Sequence, residues 1–230
     1  MRRASSTILL ALALGACDAT VEPIHVRSGC PARPNHEANT LARADIIDDF
    51  EDEDLDLLVA NGRDGSWIVG WDMTSERPLT EGASTCAASG RAAGHFSASG
   101  FTDWGANWTA VLRRESNGRA VPYDASDYSG ISFWAAVGAD APVLTNLPVG
   151  VTTMDVAWNG GVCSGTCMDY YRTTISVTRD WQRFVVRFEA LAQRGFGDPL
   201  TALKRDQLVG FIVWPDRAFD LWLDDVRFER

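Results

Sequence analysis

From residue 45 onward, apolar and polar positions alternate along the chain in several short runs. Ile131, Phe133, Ala135 and Val137 share one face, with Ser132 and Trp134 on the other. Tyr171, Thr173, Ile175 and Val177 form a second set, and Phe184, Val186 and Phe188 a third. Phe211 and Val213 precede a turn at Pro215-Asp216, and Phe219, Leu221 and Leu223 open the last run. A period of two marks strands with one buried face. Asn117-Gly118 is a hairpin signal, and Arg179-Asp180 predicts another tight connection. Only 189–194 and 200–207 read as helical, and both are short. Several strands spaced by turns predict an all-β fold, a two-sheet antiparallel β-sandwich.

The last run contains an irregularity. Its apolar phase slips at Asp224-Asp225 and resumes at Val226 and Phe228, as it does where a β-bulge inserts one residue. Two adjacent carboxylates at a bulge can turn toward a hard cation. Upstream, residues 45–56 hold eight acids. Such oxygen-rich clusters suit Ca²⁺, which takes six to eight oxygen ligands. The competing reading is a solvated acidic edge that discourages sheet pairing.

Before residue 45 the pattern differs. Met1-Arg2-Arg3 is a basic start, and the apolar run 8–16 is too short to span a bilayer but suits a signal peptide. It ends Leu14-Gly15-Ala16-Cys17, which resembles the lipobox of bacterial lipoproteins. The expectation is a signal peptide over 1–16, lipidation of Cys17, a tether over 17–44 and one module over 45–230. The protein would then be exported and lipid-anchored to the inner or outer membrane of a bacterial envelope. The competing reading is an ordinary secretory signal, with Cys17 in a disulfide.

Cysteine and charge add to this picture. Five Cys is an odd number for an exported chain, and lipidating Cys17 leaves Cys30, Cys86, Cys163 and Cys167. Three pairings are open. Cys163-Ser-Gly-Thr-Cys167 can close locally, leaving Cys30 for Cys86, although a Cys-x3-Cys spacing can also hold one edge of a metal site. With 21 Lys+Arg against 31 Asp+Glu, the formal net charge is −10, which argues against a nucleic-acid partner. No Gly-x-Ser-x-Gly, His-Glu-x-x-His or phosphate-loop motif is present, and His95 is the one imidazole of the module. His95 reads as an exposed strand residue, and the chain as not an enzyme.

The ordered motifs resemble a known family. They are Ile46-Ile-Asp-Asp-Phe-Glu51, Gly62-Arg-Asp-Gly-Ser-Trp67, Gly100-Phe-Thr-Asp-Trp-Gly-Ala106 and Tyr123-Asp-Ala-Ser-Asp-Tyr-Ser-Gly-Ile-Ser-Phe-Trp134. Trp181-Gln-Arg-Phe184, Gln193-Arg-Gly-Phe-Gly197 and Phe219-Asp-Leu-Trp-Leu-Asp-Asp-Val226 continue the series. Together they resemble the galactose-binding-like jelly roll of carbohydrate-binding modules and of exported lipoproteins of myxobacterial type. The resemblance implies a non-catalytic module that binds a polysaccharide or cell-surface glycan. It also implies a structural Ca²⁺ joining the first and last strands, held by Glu51 and Asp224 with Asp49 and Asp225.

A glycan site on such a fold needs exposed aromatic rings for sugar C–H faces and polar groups for hydroxyls. Alternation puts Trp134 opposite the Ile131/Phe133 set, Trp214 opposite Phe211 and Val213, and Tyr170 and Arg172 opposite Tyr171 and Thr173. Arg183 falls opposite Phe184. These five are the candidate ligand-binding residues. Trp108 shares a phase with Ala110 and Leu112 and reads as core, whereas Trp222 shares one with Asp220 and need not. Trp71, Trp104 and Trp158 fall in predicted loops at the rim of a site. The alternative is a structural or adhesion lipoprotein that uses the same fold against an envelope protein, without sugar.

Overall fold

The alternating residues meet as their spacing predicts. In this computed structural model Ile131, Phe133, Ala135 and Val137 share one buried cluster with Val149, Val151, Phe211 and Val213. The structure describes residues 29–31, 45–83, 86–157 and 161–230. Among these described residues, eleven strands follow in chain order: β1 Ile46–Asp48, β2 Ser66–Trp71, β3 Leu79–Ala83, β4 Ala93–Ala98, β5 Ala106–Val111 and β6 Gly130–Val137. Then come β7 Leu144–Thr153, β8 Tyr171–Val177, β9 Gln182–Arg187, β10 Leu208–Val213 and β11 Phe219–Glu229. One sheet has six strands in the order β3-β4-β11-β6-β9, with β1 also paired to β11. The other has five, β2-β5-β10-β7-β8. Every pairing is antiparallel. The fold is an all-β, two-sheet jelly-roll sandwich.

The inner faces are closed by aromatic rings. Trp67 and Trp108 lie 4.2 Å apart by ring centroids, Phe50 and Phe96 flank Trp108, and Phe133 meets Phe211 at 5.0 Å across the interior. Fully burying one such side chain contributes about 1.5–3 kcal/mol. Gly94 makes the room for them, since a Cβ there would stand 2.5 Å from Phe50 and 2.6 Å from Trp108.

The slip in the last strand is real. β11 changes register against β6 between Asp224 and Arg227, and Asp225 has φ 48°. That extra residue returns Val226 and Phe228 to the core. The two segments expected to be helical are not. Each contributes only a three-residue 3₁₀ turn, Phe188–Ala190 or Arg205–Gln207. Phe188 and Leu191 are buried, and Leu208 already belongs to β10, so too few residues remain to repay helix nucleation.

Cys30 is bonded to Cys86 and Cys163 to Cys167. The first bridge, with a hydrogen bond from Ala139 N to the Gly29 carbonyl (2.9 Å), ties residues 29–31 to the sandwich. Among the described residues, no helix is long and apolar enough to cross a membrane. The expected signal peptide, Cys17 and Trp158 lie outside the described residues.

Candidate functional site

The outer face of the five-stranded sheet carries a groove of about 1030 Å³. Its floor follows from strand alternation. On β5, Ala106, Trp108 and Ala110 point into the core, so Asn107 and Thr109 point out and line the groove. β7 contributes Pro148 and Thr152, and β8 contributes Arg172 and Thr174. Trp71, Trp104, Phe196 and Trp214 stand along it, with Arg114, Arg194 and Arg217 among the charged lining. The site thus combines aromatic walls with a floor of amide, hydroxyl and guanidinium groups.

A stack of planar groups organises one wall. Trp214 lies 5.4 Å from Tyr170 with planes 10° apart, and the Arg172 guanidinium sits 4.8 Å from the centre of the Tyr170 ring. Phe196 closes the stack, 5.7 Å from the same guanidinium. On the other side, Trp214 Nε1 donates to the Trp104 carbonyl at 2.9 Å, and the two indoles meet edge to face. Tyr170, expected as an exposed ring for a ligand, is fully buried instead, with burial pushing its hydroxyl up to about 12. It precedes β8 and packs with Val156 and Ile212, so its role is to hold Trp214 and Arg172 in place.

Trp134 and Arg183 belong elsewhere. Both lie on the six-stranded sheet, Trp134 on β6 and Arg183 on β9, directly paired in register. Trp134 packs in a small cluster with Cys86, Trp181 and Trp222, and Arg183 bonds Ser132 (3.1 Å) and Glu229 (2.5 Å). A single aromatic platform containing Trp134, Trp214 and Tyr170 therefore does not exist, because period-two spacing assigns a face of a strand but not its sheet. His95 is not the exposed strand residue expected. It is buried at 5% exposure, because Trp222 covers it and Glu81 and Asp220 bond its ring nitrogens. Trp222 is buried by the same contact.

Three of the four acids expected to hold calcium, Glu51, Asp224 and Asp225, meet the turn at residues 88–92, and Asp49 accepts from Glu51 N (3.4 Å). Asp224 accepts from Ala88 N (2.8 Å) and Ser89 N (2.9 Å), Asp225 from Ser89 Oγ (2.8 Å), and Glu51 from Arg91 N (2.8 Å) and Ala92 N (3.1 Å). Burial raises Asp49, and the charges of Glu51 and Asp225 raise it further. Burial, reinforced by Asp225, pushes Asp224 up to about 8 despite its N–H donors. Among the described residues, no three His, Cys, Asp or Glu side chains converge closely enough to hold a metal. As they stand, Glu51, Asp224 and Asp225 are bonded by donors of that turn, and Arg91 pairs with Glu51.

Alternation finds Trp214 and Arg172, and loop composition points to Trp104, whereas Trp71, expected in a loop, is the last residue of β2. Asn107 and Thr109 were equally legible opposite Trp108. Thr152 carries no signal in the sequence, and Arg194 and Phe196 stand in a motif of the resemblance that does not assign them to the site, since their place depends on which strands become neighbours.

No family model matches the sequence, and no curated protein does. The fold has solved counterparts. A family 11 carbohydrate-binding module from Clostridium thermocellum, in complex with a β-1,3-1,4-mixed-linked tetrasaccharide, superposes with a TM-score of 0.56. It shares 16% identity, over 80% of this chain and 94% of that one. The family 11 module of the cellulosomal cellulase Lic26A-Cel5E of Clostridium thermocellum superposes at 0.50, with 15% identity over 77% and 94%. At these identities the likeness is one of fold.

Proposed function

We propose that this protein is a non-catalytic carbohydrate-binding module that takes a polysaccharide chain in the groove on its five-stranded sheet. The observation that carries the reading is the pairing of Trp104 and Trp214 beside a floor of Asn107, Thr109 and Arg172. Indole faces stack on sugar C–H faces, and amide, hydroxyl and guanidinium groups bond the sugar hydroxyls. The solved neighbour with a bound tetrasaccharide supports the reading by fold. A lipid on Cys17 would hold the module at the envelope; the lipobox and basic start support that part. Calcium belongs to the same reading. The oxygen-only donor set of Asp49, Glu51, Asp224 and Asp225 suits it, and a cation would relieve their mutual repulsion by drawing them inward.

Affinity electrophoresis through gels containing β-glucan, xylan, mannan or a uronan tests the function. Retardation that is lost when Trp214 is replaced supports it. Migration unchanged in every polymer overturns it and favours an adhesion role for the same fold.

A further inference from the structure

The groove reverses the sign of the chain around it. The protein carries a formal net charge of −10, yet the described lining holds four arginines, Arg114, Arg172, Arg194 and Arg217, against Asp103 and Asp216. Asp216 is already matched to Arg217 at 3.0 Å, in solvent. The groove is therefore a cationic strip on an anionic protein, and anionic polymers would be steered to it and away from the rest.

Arg172 is the residue this charge converges on. Its side chain is 9% exposed, and its Nε and Nη2 have no hydrogen-bond partner. Asp169 forms an ion pair with the guanidinium, 3.8 Å from Nη2 and so beyond hydrogen-bond distance. The Asp169 carboxylate instead accepts from the backbone N–H groups of Arg194 (2.9 Å), Gly195 (2.8 Å) and Gly197 (3.1 Å). Tyr170 and Phe196 pin the guanidinium plane, so its orientation is fixed before any ligand arrives. On the same floor Thr152 Oγ1 also lacks a partner. A buried polar group left without a hydrogen-bond partner is destabilising, and more so when charged. A sugar hydroxyl offers Arg172 one acceptor. A carboxylate offers two, in the fork geometry that guanidinium matches.

We propose that the polysaccharide bound in this groove is an acidic one, a uronan, and that Arg172 receives its carboxylates. The inference rests on the groove being a glycan site, and its test separates the two. Titration calorimetry would compare polygalacturonate with the same polymer fully methyl-esterified, alginate with its carboxyl-reduced form, and mixed-linkage β-glucan as a neutral reference. At least one acidic polymer is expected to bind ten times or more tighter than its neutralised form, by a margin that shrinks as salt rises. Arg172→Gln should erase that margin, weakening the acidic polymer by much more than the neutral one. Arg172→Lys, which keeps the charge and loses the fork, should fall between, and Arg183→Gln on the opposite sheet should change nothing. Equal affinity for acidic and neutral forms overturns the acidic assignment and leaves glycan binding standing. So does binding of dextran sulfate without any uronan. A protein that binds none of these polymers, with an unchanged melt, overturns both.

Discussion

His95 lies flat against Trp222, with ring centroids 4.0 Å apart and planes 8° from parallel. Its two nitrogens each meet a carboxylate, Nδ1 with Glu81 Oε1 at 3.0 Å and Nε2 with Asp220 Oδ1 at 2.9 Å. Burial alone would lower the imidazole pKa; the hydrogen bonds to Asp220 and Glu81 outweigh it, and the net shift is upward from 6.5. Protonated His95 can donate to both acids and so join β3, β4 and β11.

That arrangement sets a pH dependence. A raised folded pKa means that the folded state holds the proton longer than the unfolded chain. The stabilisation is complete below about pH 6.5 and is lost as pH rises through the folded value. Thermal melts between pH 6 and 9 should show a declining Tm, and His95→Gln should flatten part of the decline. Parallel curves for the two proteins would overturn the assignment. The difference between them is the readout, because buried Asp48 and Asp224, each pushed up to about 8, add a decline of the same sign to both.

The groove makes a sharper prediction about aromatic rings. Trp214→Ala and Trp104→Ala should each weaken glycan binding roughly tenfold, or about 1.4 kcal/mol. Trp134→Ala should leave it unchanged, because that ring belongs to the other sheet. Calorimetry on the three variants checks the pattern, and a loss confined to Trp134→Ala would place the site on the wrong face.

Gly94→Ala should be destabilising out of proportion to one methyl group. The new Cβ would meet the rings of Phe50 and Trp108, which are themselves locked against Trp67. Overpacking of this kind costs typically about 1–3 kcal/mol. Urea denaturation should give a lower midpoint with an unchanged slope.

Calcium added to metal-free protein should raise Tm, and EGTA should reverse the rise. Binding to the folded state alone stabilises by about 2.7 kcal/mol at a hundredfold excess over Kd. Asp225→Asn should weaken the response. A melt that calcium leaves unmoved would remove the ion from this fold.

The sequence made the sandwich legible through residues whose neighbours are near in sequence. The alternating sets of β6, β8 and β9 and the slip at Asp224 needed only local spacing. β3 and β4 are rich in Gly and Ala, and β7 contains Pro148 and Gly150, so strands that pairing alone defines left little pattern. The site was half legible for the same reason. Trp214 and Trp134 both read as outward, but only the order of strands in each sheet puts them on opposite sides of the molecule. Tyr170 looked like a ligand ring because alternation marks a face, whereas Trp214 and Arg172 cover that face from above.

The place of β10 and β11 has a consequence for how the chain must fold. Each is the middle strand of its sheet, and both come from residues 208–230. A chain made from its N-terminus has the flanking strands in hand first, with their shared partner still missing. Neither sheet can knit until those last strands slot between strands made long before. Such late, long-range closure predicts slow folding, and a chain stopped before residue 208 would have outer strands with nothing to join them.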